Sequence, residues 1–324
     1  MIKVSVIVPI YNAGSRLREC LETLINQTLR EIEIICVLDC PTDGSEKIAE
    51  EYASNDNRIK LIYNKTNLHV GESRNVGMGL AQGDYIGFSD HDDSHSLEMY
   101  EKLYNNAITN NSEIVVSDSY VVEDNKIIRY SYNDPSKSGI IKSIILPMDH
   151  PHNKNYLSKS VWATIYSREF IQINNISFKN RSIYYEEDTL FNLNSFLVAN
   201  RISYCSNALY CWNKMNESQS NTLITHEENV NRQMSFLVQI EEVLDSYGAM
   251  GIYRLEFIAL ISTLIKTYLP YYNCLPKENK QLLCVLLNNC RFPIFGRYFG
   301  LKAISIKRIK LYYFIFKIKN ITTS

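Results

Sequence analysis

The sequence predicts an α/β fold, with a mostly parallel sheet that carries helices on both faces, followed by a helical C-terminal region. Short β-branched segments alternate with amphipathic helical segments over roughly the first 120 residues, an order typical of a parallel sheet covered on both sides. After about Thr222 only the helical spacing of apolar residues continues. We therefore expect one domain over residues 1–222 and a helical region over residues 223–324, and a chain of 324 residues is long enough for both.

The elements of the sheet follow from local signals along the chain. Runs rich in Val and Ile mark the strands, because β-branched side chains fit a pleated surface, and Pro9 closes the first run. Ser15, and then Thr42 or Asp43, stand where helix N-caps are expected, and Gly83 stands where a helix must stop. The predicted strands are Val4–Val8, Ile32–Leu38, Ile59–Tyr63, Tyr85–Ser89 and Ile114–Ser117, and the helices include Glu72–Ala81 and Leu97–Ala107.

The regular pattern weakens over residues 133–155. Three prolines and one glycine interrupt this stretch, which predicts a long loop or a lid. Regular structure is expected again from Val161 to Phe170. A second group of acids, Glu186-Glu187-Asp188, then comes directly before an apolar run.

The most informative segment is the fourth predicted strand with the acids that follow it. Asp90, Asp92 and Asp93 place three carboxyl groups within four residues, and such a cluster costs free energy unless a cation neutralises it. In an open α/β sheet, ligands bind in the crevice beyond the carboxyl ends of the strands. The segment therefore predicts a divalent-metal site beside a phosphate-bearing ligand. The alternative is a solvated turn of acids before the next helix.

Other strand ends supply groups that would face the same crevice. Tyr11 and Asn12 follow the first strand, and Asp39 follows the second. An aromatic ring and an acid at this place can hold a nucleobase by stacking and hydrogen bonding. Arg74 precedes the acid strand and would lie within reach of the same pocket. With one of the two acid groups holding a metal and the other supplying a general base, these residues fit a nucleotide-diphosphate donor and a hydroxyl nucleophile.

Seven short motifs occur in the order and spacing of a known family. They resemble the motifs of the family 2 glycosyltransferases, which have the Rossmann-like GT-A fold, and they cover residues 1 to about 220. Each motif is weak alone, and their common order makes the resemblance specific. The motifs are Val4–Asn12, Leu24–Thr28, Thr42–Ser45, Ser73–Gly77, Gly83–Ile86, Asp90–Asp93 and Tyr185–Phe191.

The resemblance implies a role for each matching residue. The Asp-x-Asp motif of the family falls on Asp90 and Asp92, so Asp92 would ligate Mn²⁺ or Mg²⁺ and Asp90 would lie near the ion or the ribose. Asp188 matches the acid that the family uses as catalytic base in an inverting transfer, and Glu187 is the second candidate because adjacent acids leave the alignment open by one residue. The residues expected to bind the nucleotide-sugar are Pro9, Tyr11, Asn12, Asp39, Arg74, Asp90 and His91.

Structural alternatives stand beside these roles. Tyr11 could simply pack at a strand end, and Arg74 could form a structural ion pair. Glu187 and Asp188 could stabilise the start of the helix that follows them. His91 could be a solvent-facing spacer between the two acids.

One segment departs from the family pattern. The second strand of the family commonly ends in Val-Asp-Asp-Gly-Ser-Thr-Asp, whereas this chain has Leu38 in place of the first acid. That acid usually reads uracil, and a leucine cannot accept the N3 hydrogen of the base. A preference for UDP is therefore in doubt; Asp39 could take over by a small shift, or backbone groups could read the base.

Charge is balanced over the whole chain and uneven at its end. The formal net charge is −1, which gives no indication of a nucleic-acid partner. Residues 279–324 contain no Asp or Glu but nine Lys and Arg, interleaved with aromatic residues. Such a tail fits the surface of an anionic membrane, and the alternative is a packed terminal helix with a lysine-rich outer face. The absence of a leader pattern and of C-x-x-C pairs predicts a cytoplasmic protein, and the tail would make it peripheral on the inner face of the plasma membrane.

These observations predict a metal-dependent, inverting glycosyltransferase. Its acceptor would be a glycan or a lipid-linked molecule in the synthesis of a cell-surface polysaccharide. Two other classes compete with it. A catalytically degenerate protein that only binds the nucleotide-sugar is motivated by Leu38. A nucleotidyltransferase would need a basic, Gly-rich loop after the first strand, and the chain has Tyr11-Asn12-Ala13-Gly14 there.

Overall fold

A computed structural model describes residues 1–123, 126–131, 138–142, 160–179 and 187–213, and four isolated positions beyond them. The chain divides into two compact units, Met1–Thr222 and Leu223–Ser324, and almost all of the described residues belong to the first. Glu186, most of the predicted loop at 133–155, nearly all of the predicted helical region and the whole basic tail lie outside the described residues. The expectations for these segments therefore stay predictions.

The described part of the chain contains ten strands and six helices. None of these helices has the length and apolar character that a bilayer crossing requires. The strands are β1 Val4–Ile10, β2 Ile32–Leu38, β3 Ile59–Tyr63, β4 Tyr85–Phe88, β5 Ser94–His95, β6 Ile114–Glu123, β7 Lys126–Ser131, β8 Gly139–Lys142, β9 Thr164–Ser167 and β10 Ile202–Asn213. The helices are α1 Arg16–Ile25, α2 Ser45–Asn55, α3 His69–Leu80, α4 Met99–Asn110, α5 Arg168–Ile173 and α6 Glu187–Val198.

All ten strands join one mixed sheet whose main path is β3-β2-β1-β4-β9-β6-β10-β5. The strands β1 to β4 are parallel to one another, and β10 is parallel to β6. The strand β9 inserts between β4 and β6 and is antiparallel to both, while β7 and β8 add antiparallel pairs at β6 and β10. The predicted α/β class, with a mostly parallel sheet, is confirmed.

Apolar side chains are buried on both faces of the sheet, as expected for strands that helices cover. On one face, alternate residues of β1 pack with α1, α2 and α4. On the other face, Ile7 and residues of β2 and β4 pack with α5 and α6. The helix α3 lies so close to β1 that a Cβ atom added at Gly77 would come within 2.5 Å of the Ile7 side chain.

Some helix starts differ from the predicted ones, although the N-cap position of α1 at Ser15 is as predicted. Ser15 stands before α1, but its side chain makes no capping hydrogen bond. The residue that caps α2 is Gly44, with φ of +91°, while the Asp43 carboxylate accepts a hydrogen bond from the Ser45 amide. The helix α3 begins at His69, three residues before the predicted start. The strand β10 was not predicted. Its C-terminal end reaches a cleft at the carboxyl ends of the parallel strands.

Candidate active site

The carboxyl ends of β1, β2 and β4 open onto a cleft of about 680 Å³. The starts of α3 and α6 and the end of β10 complete its described walls, as the arrangement of an open α/β sheet leads one to expect. Every residue predicted for the site lines this cleft. These are Pro9, Tyr11, Asn12, Asp39, Arg74, Asp90, His91, Asp92, Glu187 and Asp188.

The buried guanidinium group of Arg74 joins the two acid groups of the cleft. Arg74 comes from α3 and is 2% exposed. It donates one hydrogen bond to Asp90 Oδ1 at 2.7 Å and another to Asp188 Oδ1. Its charged group also lies over the rings of Phe178 and Phe88, 5.2 and 6.0 Å from their centroids. The structural ion pair considered for Arg74 is therefore present, and both of its partners face the cleft.

Asp188 and Glu187 lie in the first turn of α6. The pKa of Asp188 is raised to about 7, mainly by burial and in smaller part by the charges of Glu187 and Asp90, against the opposing effect of the Arg74 charge. The Asp188 side chain keeps 22% of its surface exposed, so a ligand in the cleft can reach it. Two opposing effects therefore act on the Asp188 carboxyl group: the Arg74 charge favours its ionised form, and burial favours its neutral form.

Asp93 has a different position from the other acids of its cluster. It is buried and accepts hydrogen bonds from Tyr210 Oη at 2.7 Å and from the Asn213 amide at 2.8 Å. Burial raises the pKa of Asp93 well above its usual range, and the charges of Asp90 and Asp92 add to this effect. Asp93 therefore ties the acid loop (residues 90–93) to β10. Asp90 and Asp92 remain as the carboxylates of the cluster that are available to a ligand.

Two further contacts shape the acid loop. The Arg16 guanidinium lies 3.5 Å from Asp92 Oδ2. His91 Nδ1 lies 3.1 Å from the carbonyl oxygen of Pro9, so the protonated nitrogen donates to that oxygen. His91 thus ties the loop to the end of β1 and is not merely the solvent-facing spacer considered above.

The opposite end of the cleft lies between β1 and β2. Asp39 is 2% exposed, and its Oδ1 accepts hydrogen bonds from Asn64 Nδ2 at 2.7 Å and from the Leu68 amide at 2.8 Å. Tyr11 is 37% exposed. Leu38 is buried in the core and is absent from the described lining of the cleft, whereas Asp39 is part of it. Of these two neighbours, only Asp39 is therefore placed to contact a ligand in the cleft.

Sequence reasoning missed several residues of the cleft. Trp212 was missed together with β10, although the β-branched, aromatic and apolar residues of this segment were a usable strand signal. His69 was missed because α3 starts earlier than predicted. Arg16 carried no local signal, since its contact with Asp92 spans 76 positions in sequence. The described residues that line the cleft without having been predicted for it are Ile10, Arg16, Asn67, His69, Val70 and Trp212.

This sheet, with its cleft at the strand ends, has the GT-A fold. Solved structures agree: Staphylococcus aureus TarS residues 1–349 in complex with UDP-GlcNAc superposes with a TM-score of 0.62 at 21% identity, over 87% of this chain and 84% of that one. The mannosyltransferase PcManGT of Pyrobaculum calidifontis, in complex with GDP-Man and Mn²⁺, has a TM-score of 0.52 at 13% identity, over 87% of this chain and 79% of its own. At such identities the likeness shows the fold alone.

Sequence comparison gives the family. The profile of "Glycosyl transferase family 2" matches residues 5–172, which is more than half of the chain. The cholesterol galactosyltransferase of Borreliella burgdorferi is 30% identical over 265 residues, 79% of this chain and 72% of that protein. The uncharacterized glycosyltransferase EpsJ of Bacillus subtilis is 35% identical over 213 residues, 64% of this chain and only 60% of EpsJ. The chain belongs to glycosyltransferase family 2.

Proposed function

We propose that the protein is an inverting, metal-dependent glycosyltransferase that moves a sugar from a nucleoside-diphosphate donor to a hydroxyl group of a glycan or lipid-linked acceptor. One observation carries the proposal: Arg74 holds an acid of the metal motif, Asp90, and an acid at the start of α6, Asp188, in the same cleft. A donor-binding group and a base that are fixed to one buried cation keep a constant separation.

In this proposal Asp188 is the catalytic base. A carboxylate with a pKa near 7 is roughly half ionised at neutral pH, and its ionised form is basic enough to take the proton of an attacking hydroxyl. The oxygen of the acceptor then forms its bond to the anomeric carbon while the bond from that carbon to the diphosphate breaks. A single displacement of this kind inverts the configuration at the anomeric carbon. Glu187 stays the second candidate for the base.

The charge of the cleft supports a bound divalent cation. Its described lining carries six carboxyl groups and two guanidinium groups, so an anionic diphosphate would enter an environment that repels it. Asp90 and Asp92 are the carboxylates that fit the ion, because Mg²⁺ and Mn²⁺ are commonly held by one or two carboxylates together with phosphate oxygens and water. A bound ion would neutralise the charge that develops on the departing diphosphate.

Residues between β1 and β2 are proposed to hold the nucleoside. Tyr11 offers an exposed ring for stacking, and Asp39 lies at the wall of the cleft. Since Leu38 is buried in the core, reading of the base by Asp39 or by backbone groups is favoured. The alternative of a degenerate binder was motivated by Leu38, and the presence of Asp92 and Asp188 in the cleft argues against it. UDP-GlcNAc in TarS and GDP-Man in PcManGT make uridine and guanosine donors the first to test.

The acceptor is proposed from the relatives and from the tail. Among the relatives, one is named a cholesterol galactosyltransferase and another a poly(ribitol-phosphate) beta-glucosyltransferase, so lipid and polymer acceptors both occur. A basic, aromatic tail at residues 279–324 would hold the enzyme at an anionic membrane where such acceptors reside. Truncation before Phe295 should release the protein from phosphatidylglycerol-containing liposomes, and undiminished binding would refute this part of the proposal.

The experiment for the activity itself is a donor screen. The protein is incubated with Mn²⁺ and with UDP-, GDP- and TDP-sugars, and release of the nucleoside diphosphate is measured. We expect release from one donor class and its loss on removal of Mn²⁺ or in Asp92→Ala. Full activity of Asp92→Ala would show that the metal assignment is wrong, and no release from any donor, with or without acceptor extracts, would contradict the proposed function.

A further inference from the structure

The cleft contains an arginine that is held far more loosely than Arg74. Arg16 is the first residue of α1, and its side chain is 35% exposed, compared with 2% for Arg74. Its guanidinium lies 3.5 Å from Asp92 Oδ2, a longer contact than the 2.7 Å between Arg74 and Asp90. It also donates a long hydrogen bond of 3.4 Å from Nε to the carbonyl oxygen of Ala13. Arg16 can therefore leave its partner at small cost, whereas Arg74 cannot.

The partner of Arg16 is the carboxylate assigned above to the metal ion. An arginine and a divalent cation both need the oxygens of Asp92, and the arginine is the weaker competitor because a partly exposed ion pair contributes little free energy. A guanidinium displaced from Asp92 would remain in the cleft, because its backbone is fixed by α1 beside β1. The planar guanidinium group binds phosphate oxygens with two parallel hydrogen bonds. Among the described residues that line the cleft, Arg16 is the one partly exposed side chain that offers this geometry.

We propose that Arg16 is an exchangeable cation of the donor site: it neutralises Asp92 in the donor-free protein and moves to the diphosphate of the donor when a divalent ion takes Asp92. This inference rests on the proposed function and adds a residue to it. The exchange keeps the carboxylate neutralised at every stage. It also gives the departing diphosphate a second positive partner beside the ion.

If this exchange occurs, one variant should bind Mn²⁺ more tightly and the nucleotide more weakly than the wild type does. Arg16→Gln removes the competitor, so Mn²⁺ alone should bind more tightly than to the wild type, by roughly two- to five-fold. The same variant loses a charged donor to phosphate, so binding of UDP, GDP or TDP in saturating Mn²⁺ should weaken by roughly ten-fold or more. Mn²⁺ binding is measured by electron paramagnetic resonance of the free ion, and nucleotide binding by titration calorimetry.

Arg18→Gln is the matched control. Arg18 lies on the same helix but is paired with Glu51 away from the cleft, so this variant should bind both ligands as the wild type does. If Arg16→Gln binds Mn²⁺ no more tightly than the wild type, or binds the nucleotide equally well, the exchange is wrong while the proposed function stands. If the wild type binds none of the three nucleotides in Mn²⁺, the donor site itself is wrong and the inference falls with it.

Discussion

Replacing Arg74 with methionine should destabilise the fold strongly and in a pH-dependent way. Methionine keeps much of the volume of the side chain and its contact with the rings of Phe178 and Phe88. It removes the charge that pairs with Asp90 and Asp188. The variant therefore separates the loss of the ion pairs from the loss of packing.

The magnitude follows from the burial of Arg74. Removing one partner of a buried ion pair leaves an uncompensated charge and costs about 3–5 kcal/mol. We expect this cost to apply at pH 8. Burial already raises the pKa of Asp188 to about 7 even with Arg74 present, so without that charge its pKa rises further. Because the native state then holds a proton that the unfolded state releases, the deficit should shrink as the pH falls from 8 to 5.

Urea denaturation followed by tryptophan fluorescence measures this effect. The two tryptophans of the chain, Trp162 and Trp212, both belong to the first unit, so the signal reports on that unit. Arg74→Lys keeps the charge but cannot bridge two carboxylates, and it should fall between the wild type and Arg74→Met. Equal unfolding midpoints for Arg74→Met and the wild type at pH 8, or a larger deficit at pH 5, would refute the reasoning.

Three further predictions concern the base and the backbone. Turnover should rise with pH through about 7, because Asp188 must lose its proton to act as base, and a rate that is flat from pH 5.5 to 8.5 would contradict this role. His69→Gly should stabilise the fold by about 1 kcal/mol, since His69 has φ of +66°, and an unchanged urea midpoint would show that the strain is absent. Gly77→Ala should lower stability by about 1–3 kcal/mol, because the new methyl group would meet Ile7, and wild-type stability would show that α3 and β1 can separate freely.

The parallel half of the sheet was predictable because its information is local. Each of the strands β1 to β4 is a short apolar run, and right-handed crossovers then leave little freedom in how such strands pair. The residues at their carboxyl ends, such as Tyr11, Asp39 and Asp90, could therefore be assigned to one cleft from the sequence alone. The motif at residues 185–191 gave the position of Asp188 along the chain, and only the family resemblance gave its place in the cleft.

The other parts of the sheet and of the cleft depended on contacts between distant parts of the chain. The insertion of β9 between β4 and β6 brings together segments some 80 positions apart in sequence, such as Tyr85 and Ser167, and no periodicity reports it. The position of Asp93 is set by Tyr210 and Asn213 of β10, a strand that was not predicted. The pairing of Arg16 with Asp92 was hidden for the same reason, because the α1 surface that faces the acid loop depends on the packing of the sheet.

Asp188→Asn tests the central claim most directly. The amide keeps the size of the carboxyl group but cannot take a proton from the acceptor. Donor binding, measured by calorimetry in Mn²⁺, and transfer, measured by product formation, are compared in the same preparation. The proposed mechanism predicts binding close to that of the wild type with transfer reduced by at least about 10²-fold. Transfer at the wild-type rate would contradict the assignment of Asp188 as the base.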